Sequence, residues 1–202
     1  FSSRRRHTRY ISVTGVQTCA LPISKFSRRY IDANRPPELG LDSAAARPYY
    51  DYYHGVIRRF VDELRERGTA LLIDVHGQAK DPEVIMRGTI NGRSVESLVR
   101  RAGATAVTGP AGIYGQLEIN GFKIFPANDV PLGGRNEDAG FNGGYTVAIY
   151  GSHNRDGIDA VQLEFGSRYR STGALETSIR NAAKAIVAFH EAYLKQGTGQ
   201  SR

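Results

Sequence analysis

The 202-residue chain has no Trp, one Cys and one Met, and none of its apolar runs approaches the roughly 18 residues that a membrane-spanning helix requires. A single thiol has no partner for an internal disulfide and cannot build a Cys-based zinc cage. Any metal chemistry therefore falls to His and carboxylate side chains. No Gly-x-Gly-x-x-Gly opens a helix after a strand and no Gly-Lys-Ser/Thr occurs, so nucleotide binding by the usual phosphate-cradling loops has no support. What is present is a 40% hydrophobic chain with only 23% charged residues, the composition of a folded rather than a disordered protein. At about 100–200 residues per domain, one domain is expected.

The balance of 27 Lys and Arg against 20 Asp and Glu raises the question of a nucleic-acid partner. The answer depends on where the charge sits. Arg4, Arg5, Arg6 and Arg9 fall in an opening stretch, FSSRRRHTRYISVTGVQTCALPI, which has no acidic residue and holds the only Cys. The stretch reads poorly as a secretory signal or as an amphipathic presequence. It resembles the translation of a common sequencing adapter: Ser3 to Arg9 and Val13 to Ile23 follow its two constant parts, with Tyr10, Ile11 and Ser12 where a sample barcode falls. On this reading residues 1–23 are an artefact, residues 24–196 form the domain, residues 197–202 form a flexible tail, and an N-terminal part of the natural protein is missing. The 23 basic residues that remain exceed the 20 acidic ones by three, and no cysteine is left. Neither nucleic acid nor membrane is then expected as a partner. The compartment stays open between cytoplasmic and secreted, because a signal peptide would lie upstream.

Within the domain, KFSRRYIDANR suggests a short strand running into Pro36-Pro37. Tyr49, Tyr53, Val56, Ile57, Phe60, Val61 and Leu64 recur at helical steps, with Gly68 as the stop. TALLIDVHG is an apolar run too short for a helix and fits a buried strand. A short helix is expected over residues 94–102, a strand at Phe122–Phe125, strands at YTVAIYG and IDAVQLEF, and a closing helix over residues 174–194 capped by Ser171 or Thr172. The turn-rich LGGRNEDAGFNGGY between them is of a size usually functional or mobile. Helix followed by buried strand implies an α/β fold, in which ligands sit beyond the carboxyl ends of strands.

Several residues could carry chemistry. His76 stands at a strand end, where it could cap the strand or present a ring nitrogen to a metal, with Asp74 two residues back on the same face to fix its tautomer. Glu164 shares a strand face with Gln162 and is either a solvated carboxylate or, if that face looks into a cleft, a base of raised pKa. Arg28, Asn34 and Arg35 suit capture of a carboxylate and polarisation of a carbonyl, or simply a turn in which Asp32 pairs with an arginine. Asn142, Gly143, Gly144 and Tyr145 offer backbone amides to a ligand. His54 and His190 read as ordinary, partly exposed helix residues.

Taken in order, SRRYIDANRP, YYHGVIRR, LLIDVHG, FNGGYTVAIYG and IDAVQLEF resemble the N-formylglutamate amidohydrolase family over nearly all of residues 25–194. The combination R-x-x-x-D-x-N-R, D-x-H-G, N-G-G-Y and Q-x-E is far more specific than any one part. The resemblance implies a three-layer α/β/α fold of the zinc carboxypeptidase type with a mixed, mostly parallel sheet, one catalytic zinc, and hydrolysis of the amide of an N-acyl acidic amino acid. It implies His76 as a zinc ligand, Glu164 as general base, Arg28 as the carbonyl-polarising group, and Asn34 with Arg35 as the carboxylate clamp. His54 and the Asn142-Gly143-Gly144 loop match family positions without an assigned role. The family's first metal-binding segment would fall where the adapter-like stretch lies, so this chain is expected to hold zinc poorly and to be inactive. A zinc exopeptidase acting on short peptides shares every one of these residues, and a non-catalytic domain that binds carboxylate ligands shares the Arg/Asn set.

Overall fold

A computed structural model describes residues 29–195. The adapter-like residues 1–23, Arg28 and the tail from 197 to 202 lie outside the described residues. Among the described residues, seven α-helices and four strands follow one another: α1 Pro37–Gly40, α2 Arg47–Arg67, β1 Leu71–Gly77, β2 Ile85–Gly88, α3 Glu96–Ala102, α4 Thr105–Thr108, α5 Ile113–Ile119, β3 Ile124–Phe125, α6 Gly144–Tyr150, β4 Asp159–Phe165 and α7 Leu175–Tyr193. The sheet order is β1-β4-β2-β3, with β1 parallel to β4, β2 parallel to β3, and β2 antiparallel to β4. The protein is a mixed α/β domain.

Period-two alternation along β4 divides the core. Val161, Leu163 and Phe165 join Ile85 and the buried residues of α3, α4, α5 and α7, among them Leu98, Val107, Tyr114 and Phe189. On the opposite face a smaller cluster joins Ile57 and Val61 of α2 to Tyr150 of α6, with Leu72 packed against it. Helices thus cover both faces. Every residue of β4 is buried, because β4 is an interior strand covered on both faces. Between the apolar clusters, the second face carries polar side chains.

Four local expectations are corrected. Among the described residues TALLIDVHG forms an edge strand rather than a buried one: β1 stands at the end of the sheet order and none of its residues is fully buried. YTVAIYG forms α6 rather than a strand: Gly143 and Gly144, at φ +142° and +58°, turn the chain into it, and Thr146, Val147 and Tyr150 are buried at helical spacing. A seven-residue apolar run fits either element, and its packing decides. In the described part of KFSRRYIDANR, residues 29–35, the chain makes turns and one isolated bridge, Ile31 to Leu41, rather than a strand. Neither Ser171 nor Thr172 caps α7 through its hydroxyl; the Ser171 carbonyl instead accepts from the Leu175 N–H at 2.9 Å.

Candidate functional site at the carboxyl ends of the parallel strands

β1 and β4 end together, and their register pairs Asp74 with Gln162 and His76 with Glu164. Paired residues of neighbouring strands point to the same side, so these four side chains share one face. β2 adds Met86 beside Glu164 and Gly88 beside Gln162. Glu164 is only 8% exposed, because β4 is interior and covered on both sides. A solvated carboxylate on an open face is therefore excluded.

His76 and Asp74 do meet: Nε2 lies 3.0 Å from Asp74 Oδ1. The same Nε2 lies 3.2 Å from Asn34 Nδ2. The orientation of that amide is fixed, because Asn34 Oδ1 accepts from the Thr146 N–H at 2.8 Å. An ionised carboxylate asks Nε2 for a proton, whereas an amide N–H asks it for a lone pair, so one tautomer satisfies only one neighbour. Asp74 Oδ2, buried, has no hydrogen-bond partner among the described residues.

The Asn34 segment is organised by Asp32. Its Oδ1 accepts from the Asn34 N–H at 3.2 Å, and its Oδ2 lies 3.2 Å from Arg35 Nε. The turn with an Asp32–Arg35 pair is thus formed, and the Arg35 side chain is left largely exposed. It opens with Arg29 and Leu39 onto a cleft of about 390 Å³. A second cleft of about 360 Å³, between Thr108, Gly115, Glu118 and Asn128, includes none of the candidate residues.

Gly144 completes the contact. A Cβ there would stand 2.5 Å from Asn34 Nδ2 and 2.8 Å from Gln162 Nε2, and its φ of +58° favours glycine independently. Gly143 packs against Ile90, where a Cβ would meet Cγ1 at 2.9 Å. Asn142 contributes its carbonyl, which accepts from the Ile90 N–H at 2.6 Å. The Tyr145 ring stands edge-on to His54 at 5.8 Å. The fold therefore gathers Asn34, His76, Gly144 and Glu164 from four separate segments. Asn142 and Gly143 support the turn from behind, and Arg35 lies to the side with Asp32.

Two supports went unread in the sequence. Glu137 and Arg87 form an ion pair, Nε to Oε1 3.4 Å, with each side chain 1% exposed. Glu137 also accepts the Thr89 hydroxyl and the N–H groups of Thr89 and Asn91. Burial pushes its pKa up, against the pull of those hydrogen bonds and of Arg87. The long polar loop is thereby pinned to the turn at Ile90 and Asn91, both at positive φ, and Ile90 in turn holds Asn142 and Gly143. One of two adjacent acids inside RNEDAG gives no sign of such a partner. The other support is His54, expected to be ordinary, whose two ring nitrogens are both engaged.

No family model matches the chain, and no curated protein or solved structure matches it. Fold and site define it as an α/β domain with a histidine, carboxylate and amide cluster at the ends of two parallel strands.

Proposed function

We propose that this is the domain of a zinc-dependent hydrolase that cleaves the amide bond of an N-acyl acidic amino acid such as N-formylglutamate, on a three-layer fold of the zinc carboxypeptidase type, and that the chain as it stands holds zinc poorly and has little or no activity of its own. The observation that carries the reading is the convergence of Asn34, His76, Gly144 and Glu164 at the carboxyl ends of β1 and β4, where open α/β sheets place their ligands. A catalytic zinc needs three protein ligands and an open position. Among the described residues no three His, Cys, Asp or Glu side chains come together to hold a metal ion. His76 alone does not fit the ion, so further ligands would have to come from outside the described residues, and no step here passes through it.

The chain's own groups divide the work. Glu164, desolvated, takes a proton from the attacking water. As the C–N bond breaks it passes that proton to the leaving nitrogen, releasing the free amino acid and the acyl group as its acid. Asp74 and Asn34 hold the His76 ring. Asn34 and Arg35 are assigned to the substrate carboxylate, and Arg28 to the developing oxyanion. A zinc exopeptidase reaction would use the same groups on a short peptide.

The test is release of glutamate from N-formylglutamate, with and without added zinc. Little or no release is expected from this chain, and stoichiometric zinc uptake with rapid release would overturn that expectation; failure to bind N-formylglutamate at all would sink the reading. A non-catalytic carboxylate-binding domain is the alternative favoured by the cleft beside Arg35; calorimetric binding of N-formylglutamate that saturating zinc leaves unchanged would select it.

A further inference from the structure

We propose that His54 is a positioning residue which, together with Tyr50 and Tyr150, fixes the main chain on both sides of Asn34 and so keeps the Asn34 amide against His76. The inference rests on the reading of Asn34 and His76 as site residues.

The segment that carries Asn34 has little regular structure of its own. Apart from the Ile31–Leu41 bridge it consists of turns, so no sheet ladder sets its position. Its carbonyls are instead held by α2. His54 Nε2 lies 3.0 Å from the Ala33 carbonyl oxygen, and the Tyr50 hydroxyl donates to the Arg35 carbonyl at 2.7 Å. These are the residues immediately before and after Asn34. Tyr50 and His54 are one helical turn apart, on the same face of α2, with ring centroids 4.4 Å apart.

The other side of His54 is tied to α6. Its Nδ1 lies 3.0 Å from the Tyr150 hydroxyl, and that hydroxyl also reaches the His54 carbonyl at 3.0 Å. At the opposite end of the same helix, the Thr146 N–H donates to Asn34 Oδ1. The contacts close a ring from Asn34 through Ala33, His54, Tyr150 and α6 back to Asn34. A carbonyl only accepts, so Nε2 must carry the proton, and the neutral ring offers Nδ1 as acceptor to Tyr150. Burial favours that neutral form by lowering the His54 pKa. The rings of Tyr53 and Tyr145 stand edge-on to the imidazole at 5.3 and 5.8 Å.

The experiment compares His54→Leu, His54→Gln and Tyr50→Phe in the full chain labelled with ¹⁵N-histidine. Its first readout is the ring nitrogen resonances of His76, and its second is kcat/KM for N-formylglutamate. His54→Leu removes the donor to Ala33; it should move the His76 resonances and lower kcat/KM by roughly 10²-fold, the scale of an ångström-sized misplacement. His54→Gln keeps an N–H near the Nε2 position and should restore both. Tyr50→Phe deletes only the hydroxyl on Arg35 and should move the same resonances, which keeps the test decisive if His54→Leu fails to fold. Unmoved His76 resonances in Tyr50→Phe, or a Gln variant no better than Leu, would overturn the proposal. The resonances need no turnover: if the chain releases no glutamate, the positioning role is judged from the spectra alone, and failure of the parent protein to bind N-formylglutamate would sink the functional reading while leaving that role testable.

Discussion

His76 and Glu164 occupy paired positions on adjacent parallel strands, so an imidazole and a carboxylate leave the sheet side by side on one face. Neighbouring strands lie about 4.8 Å apart, a spacing that a water molecule can bridge. Glu164→Gln preserves shape and removes the base. The expected result is a fall in kcat of about 10²–10⁴-fold with KM little changed, read from steady-state glutamate release. Wild-type turnover by the Gln variant would exclude Glu164 as the base.

Two glycines should respond to alanine in opposite directions. Gly144→Ala places a methyl 2.5 Å from Asn34 Nδ2 and imposes a left-handed backbone that costs about 1–2 kcal/mol. A lower urea midpoint and shifted His76 resonances are expected. Gly55 lies within α2 with nothing near its missing Cβ, so Gly55→Ala should stabilise by about 0.5–1 kcal/mol. Equal effects at the two sites would contradict the packing described at Gly144.

The Arg87–Glu137 pair is suited to a double-mutant cycle. Both side chains are almost completely buried, so Arg87→Met or Glu137→Gln alone strands an ionic or polar partner, at a cost of about 3–5 kcal/mol. The double variant should lose much less than the sum of the two. Denaturant unfolding measures each corner, and additive losses would mean that the two residues act independently.

Acid sensitivity should include a histidine contribution. Burial lowers the pKa of His54 from its ordinary 6.5, against the opposing effects of the Ala33 carbonyl and Asp51. Burial and then Arg93 do the same for His153. Protonation therefore favours the unfolded chain. The stabilisation is complete above the ordinary value and is lost as pH falls through the lowered folded values. Tm should decline more steeply in the parent than in His54→Gln on acidification from about pH 7 to about pH 5, since that window lies at and below the ordinary histidine value. Raised carboxyls such as Glu137 and Asp159 are common to both proteins and cancel in the difference. Identical slopes would show that His54 is not the buried neutral group described.

Residue order by itself determined the α/β class, the long helix α2 with its helical apolar steps, β1 as a short apolar run, β4 as a strand of alternating apolar and polar residues, and α3 and α7 to within a residue or two. It also singled out His76, Glu164, Asn34 and the glycine pair, because unusual polar residues stood at strand ends and in turns. Tertiary structure decided what spacing cannot carry. YTVAIYG packs as a helix because paired glycines turn it onto the sheet, although its apolar content suits a strand equally. Glu164 is buried because β4 became an interior strand. Asn34 reaches His76 across 42 residues of chain, and His54 reaches Tyr150 across 96. Those meetings depend on which helix covers which face of the sheet, a choice made by packing the whole core and not by any local run of residues.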